Sequence, residues 1–161
     1  MLSGIRSLFR ANNPRNNALS KMARIVSHYS MARMIFERGL ENDSRNVQTL
    51  YTSVGVWLFP GAAKDISIKA GIPAVTRDLR SGGLGIMSLL PVMTETAVIA
   101  VPDEERWTFL ECEVRHRNVA PGGWHQIGIQ VKNDVHLDVE TIFEFERRCK
   151  SVMGACEPQT A

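Results

Sequence analysis

The residues best suited to chemistry lie in one short stretch, TRDLRSGGLGIMS, which spans positions 76–88. Between Thr76 and Ser88 at its ends, its polar side chains and glycines are Arg77, Asp78, Arg80, Ser81, Gly82, Gly83 and Gly85. A guanidinium group binds phosphate or carboxylate through two parallel hydrogen bonds, and glycine allows the backbone to approach a neighbour or a ligand closely. The stretch therefore predicts either a tight turn between two strands or a turn that holds an anion.

A second group of basic side chains lies in EVRHRN, within a predicted strand. Because side chains alternate along a strand, Arg115 and Arg117 are expected on one face and His116 on the other. The two arginines either form a solvated strand edge or flank the anionic turn. Cys112 shares a face with His116, and His125 lies on the neighbouring strand, but a metal site needs three or four convergent ligands. No metal site is predicted.

Motifs of the common enzyme classes are missing from the sequence. The segment SGGLGIMS is not followed by the GK[ST] of a phosphate-binding P-loop, and Ser88 stands where the last glycine of GxGxxG belongs. Neither a GxSxG nor an HExxH motif occurs. The sequence therefore predicts a protein that is not an enzyme and that carries no cofactor.

The composition is that of an ordinary globular protein of 161 residues with a formal net charge of +2. This charge is too small to indicate a specific nucleic-acid partner, and no apolar run approaches the roughly 18–20 residues of a transmembrane helix. The three cysteines lack CxxC spacing, which favours a reducing, cytoplasmic location. Residues 1–33 contain six Arg or Lys and no acid. They form either a frayed polar terminus or an anchor to anionic lipid or nucleic acid.

Two helices are predicted, one on each side of a region of short strands. Residues 1–17 are polar and expected to be disordered or loosely attached, and a helix follows from about residue 18 to 38, with Gly39 as its stop. The apolar stripe of this helix consists of Met22, Ile25, Val26, Tyr29 and Met34. The second helix is predicted over LDVETIFEFERRCKSVM, and Asp138 suits its N-cap position.

Between the helices, short β-branched stretches alternate with turn residues at intervals of about ten residues. The strand candidates are VGVWLFP, two pieces of KDISIKAGIPAVTRDL, LGIMSLL, TAVIAVP, WTFLECEVRHRNV and WHQIGIQVKN. The break APGGW, at 120–124, is typical of a hairpin connection. This order of elements predicts an α+β protein built around a small β-barrel or sandwich.

The segment from about Arg45 to Arg148 resembles a PilZ domain, the bacterial receptor module for cyclic di-GMP. The similar parts are VGVWLFP, the glycine-rich DLRSGGLGI, LECEVRHRNV, WHQIGIQV and the closing helix. The resemblance implies a six-stranded antiparallel PilZ-like β-barrel with a C-terminal helix and an N-terminal helical extension. The implied organisation is a basic extension over 1–44, the barrel domain over 45–153 and a disordered tail over 154–161.

In PilZ domains ligand binding depends on two motifs, RxxxR before the first strand and [D/N]xSxxG on a strand-to-strand turn. Transferred to this chain, the second motif has Asp78 as its acid and Gly83 as its final glycine, with Arg80 in the serine position. The first motif has Arg45 in its first arginine position and Thr49 in its second. Arg80 either blocks the pocket or supplies the guanidinium that Thr49 lacks, and the sequence leaves both open.

The resemblance implies a non-enzymatic receptor for cyclic di-GMP in bacterial second-messenger signalling. Arg45 and Arg80 would hold phosphate or guanine edges, while Asp78 and Gly83 would shape the turn. Supporting contacts are expected from Arg77, Ser81, Arg115 and Arg117. The alternative is a PilZ-like module that does not bind nucleotide and that docks an unidentified partner protein through the barrel or the N-terminal helix.

Overall fold

The structure, a computed structural model, describes residues 13–36, 49–104 and 106–154. Within these residues, six strands lie between two helices along the sequence. The elements are α1 Pro14–Phe36, β1 Gly55–Pro60, β2 Ile72–Arg80, β3 Gly83–Ser88, β4 Thr96–Asp103, β5 Arg106–Val119, β6 His125–Val135 and α2 Val139–Gly154. Short 3₁₀ turns cover Ala63–Asp65, Ile68–Ala70 and Pro121–Gly123.

The six strands close into a barrel in the order β1-β2-β3-β6-β5-β4, and every neighbouring pair is antiparallel. Closure leaves no unpaired sheet edge, which is how small all-β modules avoid edge-to-edge association. The predicted fold class, a six-stranded antiparallel barrel with one helix before it and one after it, is confirmed.

One strand expectation is wrong. The stretch around Ile66 and Ile68 was expected to contain an extended piece, but it forms two 3₁₀ turns. Local backbone hydrogen bonds, from Asp65 N to Ala62 O and from Ala70 N to Ser67 O, both 3.0 Å long, hold these turns. Alternation over three residues was too short a pattern to separate a strand from such turns.

The apolar stripe of helix α1 packs against the apolar residues in the interior of the barrel. Ala18, Met22 and Ile25 are fully buried and belong to the same apolar cluster as barrel residues such as Leu110. Val26 and Tyr29 pack against that cluster, as the predicted stripe requires; the side chain of Met34 lies outside the described residues.

The start of α1 corrects the expectation on residues 1–17 for residues 14–17, which are helical. The helix begins at Pro14, because proline presets the helical φ at the first position and Asn13 Oδ1 accepts a hydrogen bond from Arg15 N at 3.1 Å. Residues 1–12, the expected stop at Gly39 and the expected boundary at 44/45 lie outside the described residues.

Two buried carboxylates of the barrel bind basic side chains of α1. Lys21 Nζ lies 2.6 Å from Asp134 Oδ1, and Arg24 Nε lies 2.9 Å from Asp103 Oδ2. Tyr29 adds a hydrogen bond, 3.1 Å long, to the carbonyl oxygen of Pro102. Burial, together with the charge of Asp103, raises the pKa of the Tyr29 phenol. These contacts fix α1 at the end of the barrel that carries the β4–β5 turn.

Helix α2 covers part of the outer surface of the barrel. Its Phe145 is fully buried and makes edge-to-face contacts with Trp57, Phe59, Trp107 and Phe109, at ring-centroid distances of 5.0–6.1 Å. The described members of this second apolar cluster include no residue of β2 or β3. The outer face of those two strands is therefore left open for other contacts.

The local signals at the second helix and the last hairpin are confirmed. Asp138 caps α2 by accepting hydrogen bonds from Thr141 N at 2.8 Å and Thr141 Oγ1 at 2.7 Å. The APGGW connection places Gly122 and Gly123 at φ of 82° and 79°, a conformation that favours glycine.

Candidate anion-binding site

A row of four paired residues crosses the open face of the barrel. Asp78 on β2 pairs with Gly85 on β3, Gly85 pairs with Gly128 on β6, and Gly128 pairs with His116 on β5. A Cβ atom on Gly85 would lie 2.3 Å from Asp78 Oδ2, and one on Gly128 would lie 2.1 Å from His116 Nε2. The two glycines therefore leave the space that the carboxylate and the imidazole occupy.

The glycine at position 83 serves the packing of the sheet. A Cβ atom on Gly83 would lie 2.4 Å from the carbonyl oxygen of Ile129 on β6. The neighbouring Gly82 has nothing within 4 Å of its Cβ position. Gly83 thus allows β3 and β6 to approach closely at the edge of the turn.

The buried carboxylate of Asp78 contacts two arginines and orients their side chains. Its residue is 2% exposed; its Oδ2 accepts a hydrogen bond from Arg77 Nε at 2.8 Å, and its Oδ1 lies 3.3 Å from Arg80 Nε. About half of each arginine side chain remains exposed. Within the described part of the chain, the structure shows no hydrogen bond from the Nη groups of either arginine. Both guanidinium groups are therefore oriented by the protein with donors available to a ligand.

A β-bulge explains why Arg77 and Asp78 lie on the same face. The register of β2 against β3 shifts between Thr76 and Asp78, so that Arg77 is unpaired. Thr76 is buried on the inner face of the barrel, and Leu79 is fully buried in the interior cluster. The extra residue between them adds Arg77 to the outer surface beside Asp78.

These side chains surround an open cavity of about 300 Å³ on the outer face of the sheet. The predicted site residues that line it are Arg77, Asp78, Arg80, Ser81, Gly83 and Arg115. Sequence reasoning did not assign His116, Gly128 or Gln130 to the site, yet they also line the cavity. Gly128 was the available signal, because a glycine inside a strand often marks the close approach of another group.

The expectation that Arg115 and Arg117 share one face is wrong. A second bulge, between Val114 and His116, leaves Arg115 unpaired and brings both Arg115 and His116 to the cavity. Arg117 pairs instead with Ile127 and donates hydrogen bonds to the carbonyl oxygens of residues 92 and 94, at 2.8 and 2.6 Å. It fixes the β3–β4 connection and does not line the cavity.

The charge around the cavity favours an anion. Three guanidinium groups and one carboxylate, that of Asp78, line it. Arg115 Nε donates to Gln130 Oε1 at 2.8 Å, and its Nη1 lies 2.7 Å from Glu113 Oε1. Glu113 also binds Lys132 Nζ at 2.8 Å, and this contact, together with Arg115, lowers the pKa of the Glu113 carboxyl. The cavity therefore carries an excess of positive charge.

The segment before β1 runs beside the same part of β2. Leu50 and Leu79 exchange two backbone hydrogen bonds, of 2.9 and 2.8 Å. The hydroxyl of Thr76 donates to Thr52 O at 2.6 Å and accepts from Val54 N at 2.9 Å. Thr49 opens this described segment, and Arg45 lies outside the described residues.

Within residues 13–36, 49–104 and 106–154, the His, Cys, Asp and Glu side chains form no group of three or more that could hold a metal ion. Neither α1 nor α2 is long and apolar enough to cross a membrane.

No protein-family model matches the sequence, and no curated protein matches it. Among solved structures, the chain is similar to that of the Bacillus subtilis inhibitor of motility (MotI/DgrA), with 13% identity and a TM-score of 0.41. That alignment covers 73% of this chain and 55%, about half, of the Bacillus protein. The chain is also similar to the PilZ domain with c-di-GMP of YcgR from Escherichia coli, with 13% identity, a TM-score of 0.34, and coverage of 70% of this chain and 98% of that one.

Proposed function

We propose that this chain is a non-enzymatic PilZ-like receptor that binds cyclic di-GMP on the outer face of its barrel. One observation carries the proposal. The buried carboxylate of Asp78 holds Arg77 and Arg80 at the rim of a glycine-lined cavity, with the Nη donors of both arginines free of described partners. Such a pair of oriented guanidinium groups is suited to a ligand that presents several anionic and acceptor groups.

The chemistry of cyclic di-GMP matches these donors. The ligand has two phosphates, and each guanine edge offers the O6/N7 acceptor pair that arginine binds through two hydrogen bonds. Arg80 occupies the serine position of the family motif and, in this proposal, supplies a guanidinium rather than blocking the pocket. The Arg80 side chain is 52% exposed and contacts the Asp78 carboxylate at the rim of the cavity. Ser81, the next residue, provides a hydroxyl at the same rim.

The signalling step in this proposal uses the segment that precedes β1. Leu50 is hydrogen-bonded to Leu79, next to Asp78 and Arg80, so the chain enters the barrel beside the cavity. Arg45 lies five residues earlier in the sequence, within about 18 Å of extended chain. Ligand binding would draw Arg45 onto the barrel and shift the balance between the docked position of α1, held by its ion pairs with Asp103 and Asp134, and a released one.

Calorimetric titration with cyclic di-GMP tests the proposal through Arg80→Ser. The wild type is expected to bind, and Arg80→Ser to bind about tenfold to a hundredfold more weakly because one bidentate arm is lost. Arg147→Ser, an exposed arginine on α2 outside the cavity, is the matched control and should bind like the wild type. Absence of binding by the wild type would contradict the proposal, and tighter binding by Arg80→Ser would show that Arg80 blocks the pocket.

A specific observation also supports a second candidate function, the docking of a partner protein without nucleotide. The β3–β4 connection exposes Leu89, Leu90 and Met93, each more than half exposed. Arg117 donates hydrogen bonds to the carbonyl oxygens of residues 92 and 94, on either side of Met93. The apolar stripe of α1 is already buried against the barrel, so the end of the barrel that carries the β3–β4 connection is the more available surface. Capture of a partner that is lost in Leu90→Asp and unaffected by cyclic di-GMP would favour this function.

A further inference from the structure

The open groove extends beyond the arginine-lined cavity. A second, smaller hollow of about 30 Å³ adjoins it, and amide side chains of Asn118 on β5 and Gln126 on β6 line it. The two hollows share Arg77, His116 and Gly128. They are therefore neighbouring parts of one groove, and His116 lies at their boundary.

The position of His116 follows from the register of β5 and β6. His116 pairs with Gly128, and Asn118 pairs with Gln126 two residues further along. Three ring atoms of His116, Nε2, Cε1 and Cδ2, lie 2.1–2.8 Å from the position that a Cβ on Gly128 would take. The imidazole therefore lies across the β6 backbone, in the place where a side chain would normally stand.

Along the groove, Arg80 and Arg115 line only the larger hollow, Arg77 and His116 line both hollows, and the amides of Asn118 and Gln126 line only the smaller one. Aromatic rings, histidine among them, serve as platforms on which bases stack in nucleic-acid-binding proteins. Asparagine and glutamine offer both donors and acceptors, which suit the hydrogen-bonding edge of a base. A hollow of about 30 Å³ holds about one water molecule, so it would admit the edge of a base rather than a whole ring.

We infer that His116 is a specificity-determining residue, on which a nucleobase stacks while its phosphate lies among Arg77, Arg80 and Arg115. Asn118 and Gln126 receive the edge of that base. The inference rests on the proposed function for the arginine-lined half of the groove. It adds that the groove selects nucleotides over simple phosphates.

The size of the groove also sets how much of a ligand it holds. Small-molecule sites span about 300–1,000 Å³, and the main cavity, at about 300 Å³, is at the lower end of that range. One nucleotide unit occupies the groove, and the second half of a cyclic dinucleotide lies outside it. A mononucleotide such as GMP is therefore a sufficient probe for the imidazole.

The experiment titrates wild type, His116→Ala and His116→Phe with cyclic di-GMP, GMP and inorganic phosphate, using NMR chemical shifts. The wild type is expected to bind GMP more tightly than phosphate. His116→Ala should weaken GMP binding about tenfold through loss of stacking, while phosphate binding changes less than twofold. His116→Phe retains an aromatic face and should restore most of the GMP affinity. His125→Ala, at a β6 histidine outside both hollows, is the matched control.

The outcomes distinguish a failure of this inference from a failure of the proposed function. Equal effects of His116→Ala on GMP and phosphate, or no effect on either, would overturn the role of His116. Binding of GMP in the expected pattern without binding of cyclic di-GMP would overturn cyclic di-GMP as the ligand and leave the role of His116 in nucleotide binding standing. Binding of phosphate alone would show a plain anion site and overturn both the inference and the proposed function, and so would binding of no probe.

Discussion

The carboxylate of Asp78 occupies the space that a side chain at Gly85 would need. A Cβ atom on Gly85 would lie 2.3 Å from Asp78 Oδ2 and 2.9 Å from its Cγ. Because position 85 is glycine, Asp78 can lie against the sheet, 2% exposed, and still contact two arginines. The absence of a side chain at Gly85 thus allows the Asp78 carboxylate to orient the two guanidinium groups.

Gly85→Ala is therefore expected to disturb the site without removing a charge. The added methyl group would push the Asp78 carboxylate away from Arg77 and Arg80, and affinity for cyclic di-GMP should fall about tenfold, as for the loss of one bidentate contact. Gly55→Ala is the control, since nothing lies within 4 Å of its Cβ position. Calorimetry compares the three proteins, and unchanged affinity in Gly85→Ala would show that ligand binding does not depend on the Asp78 contacts.

Gly83→Ala is expected to affect stability rather than charge. Its Cβ would meet the backbone oxygen of Ile129 at 2.4 Å, and backbone cannot move aside as a flexible side chain can. Overpacking of this kind typically costs about 1–3 kcal/mol. Gly82→Ala, one residue earlier and with open space, should cost much less. Urea denaturation midpoints at equal m-values measure the difference, and equal midpoints for the two variants would contradict the close approach of β3 and β6.

The barrel could be predicted from the sequence because its strands carry alternating apolar residues between turn residues. The bulges were harder, since each changes which side chains share a face. On β2 the burial of both Thr76 and Leu79, three residues apart, requires one extra residue between them, but the burial of this threonine is known only from the structure. On β5 the bulge between Val114 and His116 separates Arg115 from Arg117, which strict alternation along a strand places on one face.

The place of α1 could not be predicted, although its apolar stripe could. The stripe indicates that one face is buried, but not what covers it. The carboxylates that bind Lys21 and Arg24 come from Asp134 and Asp103, which are 113 and 79 residues away. Only the closed barrel brings these acids to one end, so the contact depends on tertiary structure.

Met22→Ala tests whether α1 is part of the folded core. Met22 is fully buried in the interior cluster, so removing its side chain should lower the free energy of unfolding by about 2–4 kcal/mol. Ser27→Ala, at an exposed position of the same helix, should leave it nearly unchanged. Chemical denaturation followed by tryptophan fluorescence gives both values. A Met22→Ala midpoint equal to that of the wild type would mean that α1 does not contribute to the barrel core.

Asp138 gives the fold a predictable dependence on pH. Hydrogen bonds from the backbone N–H and the hydroxyl of Thr141 lower the pKa of the Asp138 carboxyl below its ordinary value. Since the folded pKa is below the unfolded one, the ionised cap stabilises the fold above the unfolded pKa, and this contribution is lost as pH falls through the folded pKa. Asp138→Ala should therefore lower the melting temperature near pH 7, and its difference from the wild type should shrink below about pH 4. Asp138→Asn keeps an uncharged cap, so its difference in melting temperature from Asp138→Ala should not change with pH in this way. A difference in melting temperature between the wild type and Asp138→Ala that stays constant over the whole pH range would contradict the role of the ionised cap.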